Sequence, residues 1–169
     1  MAEAVEESGE TIKKTIQKKL DNLDDFIKTP EFGKLMDNAW GKYKGKLSKA
    51  EWEAKYKTLY KNREKGIIAE SKFQELMGGE PHTFTFNGEI RKVDNLIGTT
   101  AKEIKSGKLK KTDFVENQLR KDIEMLRLDD IPVNKIEWHL FDGIDDNAKQ
   151  ILESLRDTYG KDKFDFIIY

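Results

Sequence analysis

At Gly78-Gly79 the spacing of apolar side chains changes, and this change constrains the fold more than any other feature. Before it they recur at steps of three and four, the period of a helix; after it they alternate, the period of a half-buried strand. Ile12, Ile16, Leu20, Leu23 and Ile27 define one face of a helix over 11–28. Pro30 ends it, because proline lacks an N–H and restricts the residue before it. Phe32, Leu35, Met36 and Trp40 mark a second, short helix that closes near Gly41 or Gly45. Ser48, with Glu51 three residues on, has the capping-box spacing. A third helical pattern runs from there through Trp52, Tyr56, Tyr60, Ile67, Ala69 and Phe73 to Leu76. A break is expected near Gly66, since glycine inside a helix costs about 1 kcal/mol relative to alanine. Residues 1–10 are acidic and nearly free of large apolar side chains, and read as a flexible tail ahead of a helical N-terminal segment over 11–60.

Beyond Gly79, Thr83 to Phe86 reads as a strand, and Asn87-Gly88 is a strong two-residue hairpin signal. Glu89 to Leu96 is the second strand, Ile97-Gly98-Thr99 a turn, and Thr100 to Ser106 the third strand. A helix over Phe114–Leu128 capped by Asp113, a strand over Lys135–Phe141, a helix over Asp146–Tyr159 and a strand over Phe164–Tyr169 complete the order. Strands that alternate with helices imply a parallel or mixed sheet, so the fold class is α/β with an N-terminal helical extension.

Composition narrows the chemistry. No cysteine is present, which removes disulfides, thiolate zinc sites and a cysteine nucleophile. Two histidines, His82 and His139, cannot supply a three-histidine metal site. They read as a loop residue and a packed strand residue. No apolar run reaches the roughly 18–20 residues that span a bilayer. Thirty-one basic and 32 acidic side chains nearly cancel, but the balance is uneven along the chain. Residues 89–121 hold nine basic and five acidic side chains, and residues 122–169 hold six and twelve. The average therefore conceals a basic segment facing an acidic remainder. Trp40, Trp52, Tyr56 and Tyr60 follow helical spacing and read as helix–helix packing, and Gly78-Gly79 reads as a helix stop.

If the second hairpin turns on Gly98-Thr99, glycine first as a II′ turn prefers, Asp94 falls opposite Glu103. Two facing carboxylates repel and destabilise a sheet, whereas a divalent cation with oxygen preference, such as Mg²⁺, asks for them. Lys105 lies two residues beyond Glu103 and shares its face. An ammonium there can orient a water and offset charge in a phosphoryl transition state. Glu70, from the helix before the strands, offers a third acid; Glu64 and Glu75 are its rivals. Lys108, Lys110 and Lys111 extend the positive surface as a phosphate track.

In these residues the chain resembles the PD-(D/E)XK nuclease superfamily, of restriction-endonuclease-like fold, over 65–169. Asp94 matches the first acid, Glu103-Ile104-Lys105 the acid–X–lysine element, and Glu70 the helix glutamate. Val93 stands where many members have proline. The resemblance implies that Asp94, Glu103 and Glu70 hold Mg²⁺, or Mn²⁺, that Lys105 serves the attacking water, and that Gln118 and Lys121 support the lysine or the substrate backbone. It implies phosphodiester hydrolysis in DNA, leaving 3′-hydroxyl and 5′-phosphate ends, with RNA or tRNA as the alternative substrate. The stretch from Arg91 through Gly107, with the later Trp138-His139-Leu140-Phe141, is similar to the nuclease tips of bacterial polymorphic and contact-dependent toxins. Expected with it are delivery into a competitor cell, action in that cell's cytoplasm, and a cognate immunity protein. A non-catalytic helical interaction module on a decayed nuclease fold, or an N-terminal docking segment, are the remaining readings.

Overall fold

Asn87 and Gly88 both adopt positive φ, 50° and 73°, the type I′ geometry whose twist suits a tight hairpin. In the computed structural model, which describes residues 2–169 and side chains from residue 7 onward, this turn joins β1 (Glu80–Phe86) to β2 (Glu89–Ile97). Gly98, at φ 59°, then turns β2 into β3 (Thr100–Lys105). Thr99 has no positive φ, so this turn is of the glycine-first kind expected. The chain continues through α4 (Asp113–Arg127), β4 (Lys135–Leu140), α5 (Asp146–Tyr159) and β5 (Phe164–Ile168). The sheet runs β1-β2-β3-β4-β5, antiparallel across β1, β2 and β3 and parallel across β3, β4 and β5. The protein is thus α/β, with a mixed five-stranded sheet and a helical N-terminal part.

Helices cover both faces. On one, α4 and α5 bury Val115, Leu119, Ile123 and Leu152 against Phe84, Val93, Trp138 and Phe164. On the other, α1 (Ala2–Ile27) and α3 (Lys49–Met77) bury Ile12, Ile16, Ala69 and Phe73 against Ile104 and Phe141. α1 therefore shares a core with the sheet, although it lies in the segment expected as an N-terminal extension. The short α2 (Pro30–Lys42) and the first half of α3 gather Phe32, Met36, Trp52 and Tyr56 into a separate aromatic cluster. This is the helix–helix packing that their spacing anticipates.

Four local expectations are corrected. His82, expected in a loop, lies within β1 and pairs with Val93. Helix α1 begins at Ala2 rather than Thr11, so the expected tail is helical over every described residue in it. Gly9 lies buried beneath the Tyr169 ring, where a Cβ has no room. Ring-on-backbone packing leaves no run of large apolar residues in the sequence to announce it. Helix α3 runs for 29 residues without the break anticipated at Gly66. Packing at both its ends outweighs the small penalty of one glycine. The cap of α4 is Thr112, whose Oγ1 accepts from Val115 N–H at 3.1 Å, and Asp113 is the first helical residue. No helix among the described residues is long and apolar enough to cross a membrane.

Candidate active site

The β2–β3 register matches the expected hairpin. Ile97 faces Thr100, Leu96 faces Ala101, and Asn95 faces Lys102. The ladder stops there. At the position where Asp94 and Glu103 would continue it, Asp94 Oδ2 instead accepts the N–H of Ile104 at 2.8 Å. A side chain thus takes the place of a backbone acceptor, and the two strands part.

The cause is visible on the other side of β2. His82 pairs with Val93, but Glu80 pairs with Leu96, so Pro81 alone faces both Asp94 and Asn95. This is a β-bulge, which re-aims side chains and strengthens twist. Pro81 has no N–H to leave unpaired and belongs at such an edge-strand position. Asn95 Nδ2 donates to Gly78 C=O at 2.8 Å, tying the bulge to the end of α3. Asp94 turns with it toward α3, where the Glu70 carboxyl lies close enough to disfavour its charge. Burial, reinforced by Glu70 and opposed by the Ile104 N–H and by Glu103, pushes the Asp94 carboxyl up to about 7. Of the helix acids, it is Glu70 that reaches this point. Glu75 pairs with Lys72 at 3.0 Å, and Glu64 lies beside Tyr60.

Glu103 and Lys105 share a face, as the strand period requires. Lys105 Nζ donates to Gln118 Oε1 at 2.8 Å and lies 3.2 Å from Glu103 Oε1. Gln118 Nε2 donates to the same Glu103 oxygen at 3.3 Å. The ammonium is thereby fixed from two elements, over the Trp138 ring at 5.3 Å. Of the two roles the resemblance implies for Gln118, lysine support or substrate contact, this hydrogen bond is compatible with the first. Lys121 does not join it; its Nζ donates to Ile90 C=O at 2.9 Å.

Beneath Glu103 lies a network that the sequence reading did not anticipate. Arg91 Nη2 donates to Glu103 Oε2 at 2.8 Å, and Arg91 Nε donates to Asp122 Oδ1 at 2.8 Å. Trp138 Nε1 donates to Asp122 Oδ2 at 3.0 Å. Arg91 is 4% exposed, Glu103 5% and Asp122 1%. Burial alone would pull the guanidinium down, but Asp122 and Glu103 outweigh it and hold it above its ordinary value. One signal was readable: Asp122 falls on the helical stripe of Val115, Leu119, Ile123 and Leu126 that faces the core. A charge in that position requires a buried partner.

Among the described residues no three acidic or histidine side chains converge as a ready metal cage. A carboxylate has about four lone-pair sites, and Lys105, Gln118 and Arg91 occupy three of those on Glu103. The residues nonetheless fit a hard cation. Asp94 is a carboxyl whose charge is disfavoured until a positive partner arrives, and Glu70 adjoins it. Mg²⁺ commonly takes only one or two carboxylates and keeps its waters.

The basic loop continues directly from β3. Leu109, 2% exposed, anchors it: Leu109 N–H donates to Gly143 C=O at 3.1 Å, and its own C=O accepts from Asp145 N–H at 2.9 Å. Lys108 and Lys110 flank this anchor and stand exposed, as does Lys111. A cavity of about 300 Å³ lined by Lys105, Lys108 and Lys110 opens between the loop and α4. A separate groove of about 360 Å³ between α4 and α5 contains none of these lysines.

Lys102 points to the opposite face, 3.4 Å from Glu137 Oε1. Glu137 also meets Lys135 at 3.1 Å and His139 Nε2 at 3.3 Å. His139 Nδ1 lies 2.8 Å from the Tyr169 hydroxyl. His139 is thus a buried, satisfied strand histidine, as expected. Comparison of the chain with family models, curated proteins and solved structures finds no match.

Proposed function

We propose that this chain is a metal-dependent endonuclease domain of the PD-(D/E)XK kind, cleaving phosphodiester bonds in DNA. One observation carries the reading: Asp94 stands with Glu70 where β2 and β3 part, while the Glu103–Lys105 pair lies on the adjoining strand with Gln118 holding the ammonium. A structural role alone gives no reason to bring Asp94 and Glu70 together, since Glu70 raises the cost of ionising Asp94.

Asp94 and Glu70 would hold Mg²⁺ or Mn²⁺, with the remaining lone-pair site of Glu103 beside them. The metal would supply Lewis acidity and make a bound water easier to deprotonate. The Lys105 ammonium orients the attacking water and faces charge that builds on the phosphoryl oxygens. Gln118 and Glu103 keep Lys105 from swinging into solvent, and Arg91 keeps Glu103 in place. Lys108, Lys110 and Lys111 receive neighbouring phosphates. The resemblance to toxin nuclease tips extends the proposal to delivery into a competitor cell and inhibition by an immunity protein.

The test is incubation of the purified chain with supercoiled plasmid and, separately, with total RNA, each with Mg²⁺ and with EDTA. Plasmid cleavage that requires the metal and disappears in Asp94→Ala and Lys105→Ala is the expected result. Metal-independent cutting by folded Asp94→Ala would overturn the reading, and cleavage of RNA alone would move the substrate to RNA.

A further inference from the structure

Phe114 is the most exposed of the large apolar side chains described, at 68%. Its helical neighbours Val115 and Leu119 are buried in the core, so the exposure is not a frayed end. The ring stands at the mouth of the candidate site, its centroid 5.5 Å from Lys105 Nζ. The cavity beside it is lined by Lys105, Lys108 and Lys110. Among the described residues, no acid forms an ion pair with Lys108, Lys110 or Lys111. An exposed aromatic ring that meets the Lys105 ammonium, next to a loop whose lysines have no acidic partner among the described residues, matches a polyanion that carries flat apolar faces at intervals. That is the chemistry of a polynucleotide strand.

We propose that Phe114 is a stacking platform for an unpaired nucleobase, so that the site takes a single-stranded or locally unpaired strand in preference to an intact duplex. This rests on the nuclease reading for the identity of the strand. Within a duplex both faces of a base are already stacked, and a side chain gains such a contact only when the nucleotide leaves the stack. Phe114 is already uncovered in the first turn of α4. A base stacked on the ring would bring the strand's phosphates toward the cavity lined by Lys105, Lys108 and Lys110. Phe114 is a substrate-positioning residue here.

The experiment measures binding by fluorescence anisotropy with the full chain in EDTA, where no cleavage occurs. The probes are labelled oligothymidylate, an abasic strand of equal length, and the labelled strand paired with oligoadenylate. One stacked base contributes about tenfold in affinity. Oligothymidylate should therefore bind about tenfold more tightly than the abasic strand at equal salt, and more tightly than the duplex. Phe114→Ala should erase the difference and leave abasic-strand affinity unchanged, while Phe114→Trp should retain it. Equal binding of thymidylate and abasic strands by the unaltered chain overturns the proposal, as does Phe114→Ala weakening both alike. If those strands and the duplex bind equally while plasmid is still cleaved with Mg²⁺, only the stacking role falls. If none of the probes binds and no nucleic acid is cut, the nuclease reading falls with it.

Discussion

Replacing Arg91 by methionine tests the network under the site without reference to catalysis. Methionine retains much of the volume but removes donors to Glu103 at 2.8 Å, to Asp122 at 2.8 Å and 3.3 Å, and to Lys92 C=O at 2.7 Å. Asp122, 1% exposed, then loses its counter-charge, and Glu103, 5% exposed, keeps only that of Lys105 at 3.2 Å. Breaking a buried ion pair from one side costs about 3–5 kcal/mol, against a total stability of roughly 5–15 kcal/mol. For a chain of this size, 1 kcal/mol shifts Tm by about 2–4 °C, so Arg91→Met should melt about 6–20 °C lower. The deficit also has a sign in pH. Burial raises the Glu103 and Asp122 carboxyls, and Arg91 opposes this. Without Arg91 the upward shift is opposed only more weakly, by Lys105 at Glu103 and by the Trp138 N–H at Asp122, and a carboxyl raised on folding favours the folded state only while protonated. The deficit should therefore be largest in mildly alkaline buffer and shrink as pH falls. Urea unfolding at several pH values reads both effects. The control is Lys149→Met, which removes an exposed pair at 4.0 Å worth about 0–1 kcal/mol. If Arg91→Met behaves like this control, the network contributes nothing to the fold and the reasoning fails.

Further outcomes are expected elsewhere. The Glu137 carboxyl is held at about 2, below its ordinary 4.5, by the hydrogen bond with His139 against the cost of burial, with Lys102 and Lys135 assisting. Its stabilisation is present above 4.5 and lost as pH falls toward 2. Glu137→Gln should cost about 2 kcal/mol at neutral pH, discounted for its partly solvated side, and should flatten the acid limb of a stability–pH curve. Lys108→Ala and Lys110→Ala should weaken strand binding uniformly across sequences. Each should also lower the slope of log affinity against log salt by about 1, whereas an unchanged slope would remove that lysine from the phosphate track. Gln118→Leu should lower the metal-dependent cleavage rate while sparing Tm, because it releases Lys105 without opening the core. A rate equal to that of the unaltered chain would show that Lys105 needs no such support.

Local physics made much of this molecule legible in one dimension. Asn87-Gly88 and Gly98 specified both hairpins, because only particular residues accept positive φ at those turns. Ser48 announced α3 through a cap that needs neighbours only three residues away. The hairpin register followed from the second turn, and with it the pairing of Glu103 and Lys105 on one face. Tertiary structure decided what depends on distant partners. Only the folded chain reveals that Pro81 opposes two residues of β2, and hence that Asp94 swings toward Glu70 and takes the Ile104 N–H. Gly66 stays helical and Gly9 helps anchor α1 because of packing that no local window contains. Arg91 and Asp122, 31 positions apart, meet only through the sheet-on-helix contact. Sequence determines which backbone conformations each residue tolerates; burial determines which charges must find one another. The residue types of the candidate site were therefore readable from the chain, and its arrangement was not.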